Sequence, residues 1–142
     1  MNEYLIIGQA PPAVKQQVPY DTTMLYDMLA WCGISQMDAQ SIFEFEAMTD
    51  EFPGFGQSGH KAPDKKRMRQ YYDACLYFKG VQAKGVIVLG NVAKEALTEF
   101  GFQHDNICYI IHPSKRNYTR IIAEKEKITT AINSVLQKGG FK

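Results

Sequence analysis

The chain has 142 residues, 45% of them hydrophobic, and a formal net charge of only +1 at pH 7. This length and apolar content predict one domain, residues 1–142, with a single core. This net charge is weak for a protein that binds nucleic acid, although the charges segregate into acidic and basic stretches. The sequence has no signal-peptide pattern and no run of about 18 apolar residues, so we expect a cytoplasmic protein without membrane contact.

The three cysteines limit the covalent and metal chemistry that is open to the chain. Cys32, Cys75 and Cys108 are odd in number and widely spaced. This pattern argues against a disulfide framework and against a closed site of four thiolates. We therefore expect no metal ion and no other cofactor, and we expect a monomer.

The first half of the chain predicts two strands with a helix between them. Residues 3–8 contain the apolar run of residues 4–7 and predict the first strand, and residues 22–31 predict a helix with one apolar face. Ser35 with Asp38 indicates a short capped turn. Residues 42–47 favour a second strand, although two glutamates interrupt its apolar pattern.

A loop and two further helices flank the third strand. Residues 48–63 are rich in glycine and proline and predict a loop. The helical spacing that follows predicts a helix that closes at Gly80. Residues 86–89 predict the third strand, and residues 92–100 a helix with Gly101 as its cap.

The last predicted elements complete an alternating order. Residues 107–111 form the fourth strand, and residues 118–137 form the last helix. Because strands and helices alternate, the crossovers are right-handed and the sheet is parallel. The predicted fold class is α/β, a three-layer α/β/α arrangement with a four-stranded parallel sheet.

Two loops that directly follow predicted strands carry polar residues. Residues 8–12 read Gly-Gln-Ala-Pro-Pro, and residues 112–117 read His-Pro-Ser-Lys-Arg-Asn. The carboxyl ends of parallel strands line one crevice in an open α/β sheet. The two loops are therefore expected to face a common site.

These loops, with the strand and turn between them, resemble the uracil-DNA glycosylase superfamily. Residues 8–11 are similar to its first loop, residues 112–114 to its last loop, and residues 86–93 to the strand, Leu-Gly turn and helix start between them. The layout is closest to the iron-sulfur, thermostable branch. That branch uses four cysteine ligands, whereas only Cys75 falls in a ligand place, so the resemblance implies that the cluster has been lost.

The resemblance implies a uracil-DNA glycosylase-like fold and hydrolysis of the N-glycosidic bond of a flipped damaged or modified base. The partner would be DNA, either single- or double-stranded. Breaking this bond builds positive charge on the sugar and negative charge on the departing base. A glycosylase therefore needs a donor to the leaving base and a water molecule held behind the sugar.

Three residues are candidates for this catalysis. His112 is expected to donate a hydrogen bond from a neutral imidazole to the base. Gln9 can orient a water molecule but cannot take its proton, and many relatives have an acid at Gln9 or at the next residue. Asp21 resembles a downstream aspartate of another branch, but an aspartate before a helix is also a good N-cap.

The expected base-binding residues are Ala10, Tyr20, Glu46 and Asn91. Tyr20 matches an aromatic residue that stacks on the flipped base, although it could equally belong to the core. Glu46, or Glu44 if the register slips, stands where relatives have an asparagine. An ionised carboxylate only accepts hydrogen bonds, so it suits a base with an amino donor better than it suits uracil. The alternative is a solvent-facing glutamate on an edge strand.

Basic residues are candidates for DNA contact. Ser114, Lys115 and Arg116 follow the candidate histidine and would meet DNA beside the flipped base. Lys61 and Lys65 would meet phosphates. The alternative for these two lysines is an ordinary solvated helix face.

Two other functions stay open on the sequence. A catalytically silent module could keep the pocket for a nucleobase or nucleic acid after losing its acidic residue. A small-molecule enzyme on a generic α/β fold could use Gly8 and Gly90 merely for tight turns, since the fold alone does not decide function.

Overall fold

Alternating strands and helices make up the part of the chain that the computed structural model describes. It covers residues 3–9, 23–50, 55–56, 59–60 and 63–141, with the backbone alone for residues 55–56 and 59–60. In chain order the elements are β1 (Tyr4–Gly8), α1 (Thr23–Trp31), α2 (Gln36–Ile42), β2 (Phe43–Ala47), β3 (Phe55–Gly56), β4 (Gly59–His60), α3 (Lys65–Tyr71), a π-helical segment (Tyr72–Leu76), α4 (Tyr77–Gln82), β5 (Gly85–Leu89), α5 (Gly90–Glu99), β6 (Ile107–Ile110), a 3₁₀ turn (Lys115–Asn117), α6 (Tyr118–Ala123) and α7 (Lys125–Lys138).

The main sheet has four parallel strands in the order β2-β1-β5-β6. The predicted α/β class and the four-stranded parallel sheet are therefore confirmed. The strands β3 and β4 form a separate antiparallel hairpin. All four predicted strands appear within one residue of their expected ends.

Side chains of the sheet alternate between two apolar clusters, one on each face. On β1, Tyr4 and Ile6 belong to the first cluster, and Leu5 and Ile7 to the second. The helices α1, α2, α6 and α7 cover the first cluster, and the segment from α3 to α4 together with α5 covers the second. The helices thus lie on both faces of the sheet, in agreement with the three-layer prediction.

Three predictions about element ends were wrong. The predicted loop at residues 48–63 contains the hairpin of β3 and β4. Gly80 lies inside α4 and does not end it. A Cβ there would meet the Phe102 ring at 2.6 Å, so this glycine allows close packing and does not mark a helix end. The helix predicted at residues 118–137 is divided at Glu124, which separates α6 from α7.

Two predicted helix ends are confirmed by their backbone geometry. Gly33 after α1 has a φ of +80°, and so does Gly101 after α5. This left-handed conformation suits glycine, which has no Cβ to clash with the backbone. Ser35 caps α2 by accepting a hydrogen bond from the Asp38 N–H at 3.1 Å.

None of the helices among the described residues is both long enough and apolar enough to cross a membrane.

Candidate functional site

The carboxyl ends of the four parallel strands lie at one edge of the sheet. Ala47 of β2 pairs with Gly8 of β1, and Ile110 of β6 pairs with Leu89 of β5. The chain leaves each strand at this edge, so the candidate residues after the strands follow from the same side. Gln9 and His112 therefore follow their strands at the same edge, as expected, and Glu46 and Asn91 also lie next to this edge.

The His112 loop is closed by hydrogen bonds to its own backbone. The His112 carbonyl oxygen accepts the Ser114 N–H at 2.9 Å and the Asn117 side-chain amide at 3.0 Å. The Asn117 N–H donates in turn to the Ser114 carbonyl at 3.0 Å, and Pro113 is buried. These bonds fix the backbone that carries the imidazole, and both ring nitrogens lack a hydrogen-bond partner among the described residues.

The turn between β5 and α5 lies close to the side chain of His112. Gly90 begins α5 with a φ of +83°. A Cβ at Gly90 would lie 3.0 Å from the His112 Cβ and 3.2 Å from its Cδ2. Such distances are shorter than the usual 3.5–4.0 Å contact between carbon atoms. Only glycine therefore allows the histidine to lie this close to the start of α5.

The environment of His112 favours its neutral form. The side chain is half-buried. Burial, followed by the positive charge of Arg116, lowers the pKa of His112 below its ordinary value. The imidazole is then neutral at pH 7, with one nitrogen able to donate a hydrogen bond and the other able to accept one.

Gln9 follows β1 directly and is half-buried. Its carbonyl oxygen and that of Gly8 both accept the Met48 N–H, at 3.2 Å and 3.0 Å. This bond ties the start of the first loop to the end of β2. Asn91, the second residue of α5, is exposed.

Glu46 is bound by two side chains from the helices on the second face. Its Oε1 accepts a hydrogen bond from the Tyr71 hydroxyl at 2.7 Å, and its Oε2 pairs with the Lys79 ammonium. Lys79 also pairs with Glu44, and the Glu46 side chain is only 13% exposed. Glu46 lies on the edge strand β2, but it is held by these partners and does not point freely to solvent.

The ionisation of the partners fits this network. Burial opposes the positive charge of Lys79, but its bonds to Glu44 and Glu46 outweigh that effect and raise the pKa of the ammonium. Burial and the bond to Glu46 both raise the pKa of Tyr71. Both groups therefore keep their protons at pH 7, and both act as donors to Glu46.

Glu46 and His112 stand well apart on the sheet. They belong to β2 and to the loop after β6, at opposite ends of the strand order. Neighbouring strands are about 4.8 Å apart, so the two backbones are separated by about 14 Å across the sheet. Gln9 and Asn91 follow the two central strands and lie between them.

The candidate DNA-binding residues fall into two places. Ser114 is half-buried in the His112 loop, and Lys115 and Arg116 are exposed next to it. Lys65 begins α3, is exposed, and pairs with Glu99 of α5 at 3.0 Å. This ion pair is consistent with the ordinary surface role that the sequence left open for Lys65.

Four candidate residues lie outside the described residues: Ala10, Tyr20, Asp21 and Lys61.

Sequence reasoning missed the residues that hold the candidates in place. Asn117 could have been found, because it ends the hexapeptide that begins at His112. Tyr71 and Lys79 could not, since they come 25 and 33 residues after Glu46.

The three cysteines do not come together. Cys32 and Cys108 pack against the first apolar cluster, whereas Cys75 lies in the π-helical segment over the second face. Burial raises the pKa of Cys32 to about 11 and that of Cys108 to about 12, so both stay as thiols. Within the described ranges, no group of three or more His, Cys, Asp or Glu residues could hold a metal ion.

A broad open groove of about 1010 Å³ lies between Trp31 and α7. Its lining includes Lys125, whose Nζ stands 5.1 Å above the Trp31 ring. None of the predicted site residues lines this groove. We therefore place the candidate site at the carboxyl edge, where the candidate residues follow the strands, and not in this groove.

Comparison with known proteins adds no relative: no protein-family model matches the chain, and no curated protein matches it. The functional conclusion therefore depends on the residues at the carboxyl edge and on the motifs that they carry.

Proposed function

We propose that the protein is a DNA glycosylase with a uracil-DNA glycosylase-like fold, which hydrolyses the N-glycosidic bond of a flipped damaged or modified base. The observation that carries this proposal is the position of His112 at the carboxyl edge, where its own loop and the close approach of Gly90 fix it and where burial and Arg116 lower the pKa of its imidazole. A fixed neutral donor suits a reaction that develops negative charge on a leaving group.

His112 would stabilise the departing base. Its N–H donates to a carbonyl oxygen of the base, and this hydrogen bond strengthens as the glycosidic bond breaks. The fixed His112 backbone means that little reorganisation is needed during the reaction. A neutral imidazole keeps one N–H, so it can donate this hydrogen bond without carrying a charge itself.

Gln9 would position the attacking water molecule. The Met48 bond to the Gly8 and Gln9 carbonyls holds the start of this loop near the other candidates. The amide can orient water through a hydrogen bond but cannot remove its proton. We therefore expect excision that is slow relative to an enzyme with a carboxylate in this place.

DNA is the proposed partner of this edge. Lys115 and Arg116 are exposed beside His112 and would meet the strand next to the flipped base. Lys65 is a weaker candidate, because its ammonium already pairs with Glu99. Binding should weaken as salt rises, since each neutralised phosphate releases counterions.

One observation favours a second candidate function, a catalytically silent module that binds a nucleobase or nucleic acid. The loop residues Gln9 and Ala10 carry no acid, although one is expected there in many relatives. Such a module would bind DNA through the same edge but release no base.

The test is base excision by the purified protein. Labelled oligonucleotides carrying uracil, hypoxanthine or modified cytosines, single- and double-stranded, are incubated with the protein, and alkali then cleaves any abasic product. We expect His112→Ala to lower excision at least about 100-fold, as the loss of one transition-state donor does elsewhere.

The matched control is His104→Ala. His104 precedes β6 at the other edge of the sheet, where one ring nitrogen lies 2.8 Å from the Ala83 carbonyl. This variant should keep the excision rate of the parent once circular dichroism has shown that it is folded. Excision by folded His112→Ala at the parent rate would refute the proposal, and DNA binding without any excision would favour the silent module.

A further inference from the structure

The segment that carries the His112 loop contains cations but no acidic residue. Residues 106–123 contain no aspartate or glutamate, but include the cations Lys115, Arg116 and Arg120. Arg120 pairs with Glu124 at 3.2 Å, just past this segment. Lys115 and Arg116 are both exposed, so they place positive charge on the surface beside His112, although the whole chain carries only +1.

An exposed apolar strip lies directly after this loop. Tyr118 begins α6 and is 55% exposed, and Ile122 is 45% exposed. Residues four apart are neighbours on a helix surface, so the two side chains form one strip. Ile121, by contrast, is fully buried and anchors α6 to the first apolar cluster. The strip is therefore presented on a helix that is fixed to the core.

We propose that Tyr118 and Ile122, with Lys115 and Arg116, form a surface that binds single-stranded DNA. The Tyr118 ring would stack on an unpaired base, and the two cations would meet the adjacent phosphates. An aromatic ring beside basic side chains is how many proteins hold single strands without reading sequence. The inference rests on the proposed function, because it names the form of DNA that reaches His112.

The charge of the protein favours a single strand over a duplex. Binding to a duplex depends mainly on the number of phosphates that cations neutralise. Few cations are grouped at this edge, so stacking has to supply much of the affinity. The face of an unpaired base is open to a tyrosine ring, whereas the faces of paired bases are covered by their neighbours.

A second exposed aromatic surface provides the comparison within the same molecule. Tyr77 and Phe78 of α4 are 51% and 63% exposed. The lysine of that helix, Lys79, is neutralised by Glu44 and Glu46. This surface has aromatic rings without the neighbouring positive charge, so it should not hold a nucleic acid strand.

The experiment is fluorescence anisotropy at low salt, with a labelled oligonucleotide of about 12 nucleotides that carries no lesion. The single strand is compared with a hairpin duplex of the same sequence. We expect tighter binding of the single strand, a loss of about tenfold in Tyr118→Ala, and near-parent binding in Tyr118→Phe. The matched control Tyr77→Ala should leave the affinity unchanged.

Equal affinity for strand and hairpin, or a parent-like affinity in Tyr118→Ala, would overturn the inference. Binding of the parent protein to vesicles of anionic lipid, lost in Tyr118→Ala, with no affinity for the oligonucleotide would assign the strip to a membrane surface and also overturn it. Tyr118-dependent binding of the single strand without base excision would support this inference while the proposed glycosylase activity fails. Base excision at the same rate in the parent and in Tyr118→Ala would support the proposed glycosylase activity and contradict this inference.

Discussion

The contact between Gly90 and His112 leads to the most specific prediction. In Gly90→Ala the new Cβ would stand 3.0 Å from the His112 Cβ, which is too close for two carbon atoms. The histidine must then move by several tenths of an ångström. A displacement of 1 Å at a reacting group can cost about 100-fold in rate. We therefore expect excision to fall by about tenfold.

The same substitution also strains the backbone. Gly90 has a φ of +83°, a region that costs residues with a Cβ about 1–2 kcal/mol. For a chain of this size, that loss lowers the melting temperature by about 3–6 °C. The loss of stability has to be separated from the effect on His112.

Gly101→Ala provides this separation. Gly101 ends the same helix with a φ of +80°, and a Cβ there would meet nothing within 4 Å. The two variants should therefore lose similar stability, measured by thermal unfolding, but only Gly90→Ala should alter His112. The pKa of the imidazole, measured by NMR, should change in Gly90→Ala and stay at the parent value in Gly101→Ala.

Two results would refute this reasoning. If both variants lowered excision equally, backbone strain alone would account for the loss. If Gly90→Ala changed neither the pKa of His112 nor the rate of excision, the contact between the two residues would have no functional importance.

Three further predictions concern the described contacts. Asn117→Asp removes the amide donor to the His112 carbonyl, so it should cost about 1 kcal/mol in urea unfolding and lower excision; unchanged excision would contradict a positioning role. Gly80→Ala places a Cβ 2.6 Å from the Phe102 ring and should lose about 1–3 kcal/mol, which Phe102→Leu should partly restore. The pKa of His112 is lowered by folding, so only the unfolded chain takes up this proton as the pH falls through about 6.5. The free energy of unfolding, measured with urea at several pH values, should therefore fall below that pH, and it should fall less steeply in His112→Ala. An equal dependence on pH in the parent and the variant would contradict this prediction.

The sheet could be predicted because its signal is local. β1 and β5 are short apolar runs, and each is fully buried in the structure. Gly33 and Gly101 mark helix ends for a reason that belongs to the residue itself, its tolerance of positive φ. Such features need no knowledge of which residues meet across the fold.

The errors arose where a distant contact decided the structure. A glycine in a helical pattern often marks its end, but Gly80 lies inside α4, where the ring of Phe102, 22 residues later, occupies the space that a side chain would need. The division of the last helix at Glu124 likewise has no glycine or proline to mark it. These choices depend on packing that a single sequence does not reveal.

The candidate site was predictable only where its signal is local in the sequence. His112 and Gln9 follow strands directly, so the parallel sheet alone brings their loops to one edge. The partners that hold Glu46 come from α3 and α4, far away in sequence. Glu44, two residues earlier on β2, is bound by the same lysine. The sequence around the two glutamates gives no sign of these partners.

The hydrogen bonds and ion pairs around Glu46 change the base preference that we expect of the proposed site. Tyr71 and Lys79 each donate to a different oxygen of this carboxylate, so Glu46 is already satisfied before any ligand binds. A carboxylate oxygen has two lone pairs, so a base could still donate one hydrogen bond to it. That bond would compete with a charged lysine and a half-buried tyrosine, however, and would add little discrimination. Base preference should therefore depend more on His112 and Gln9 than on Glu46.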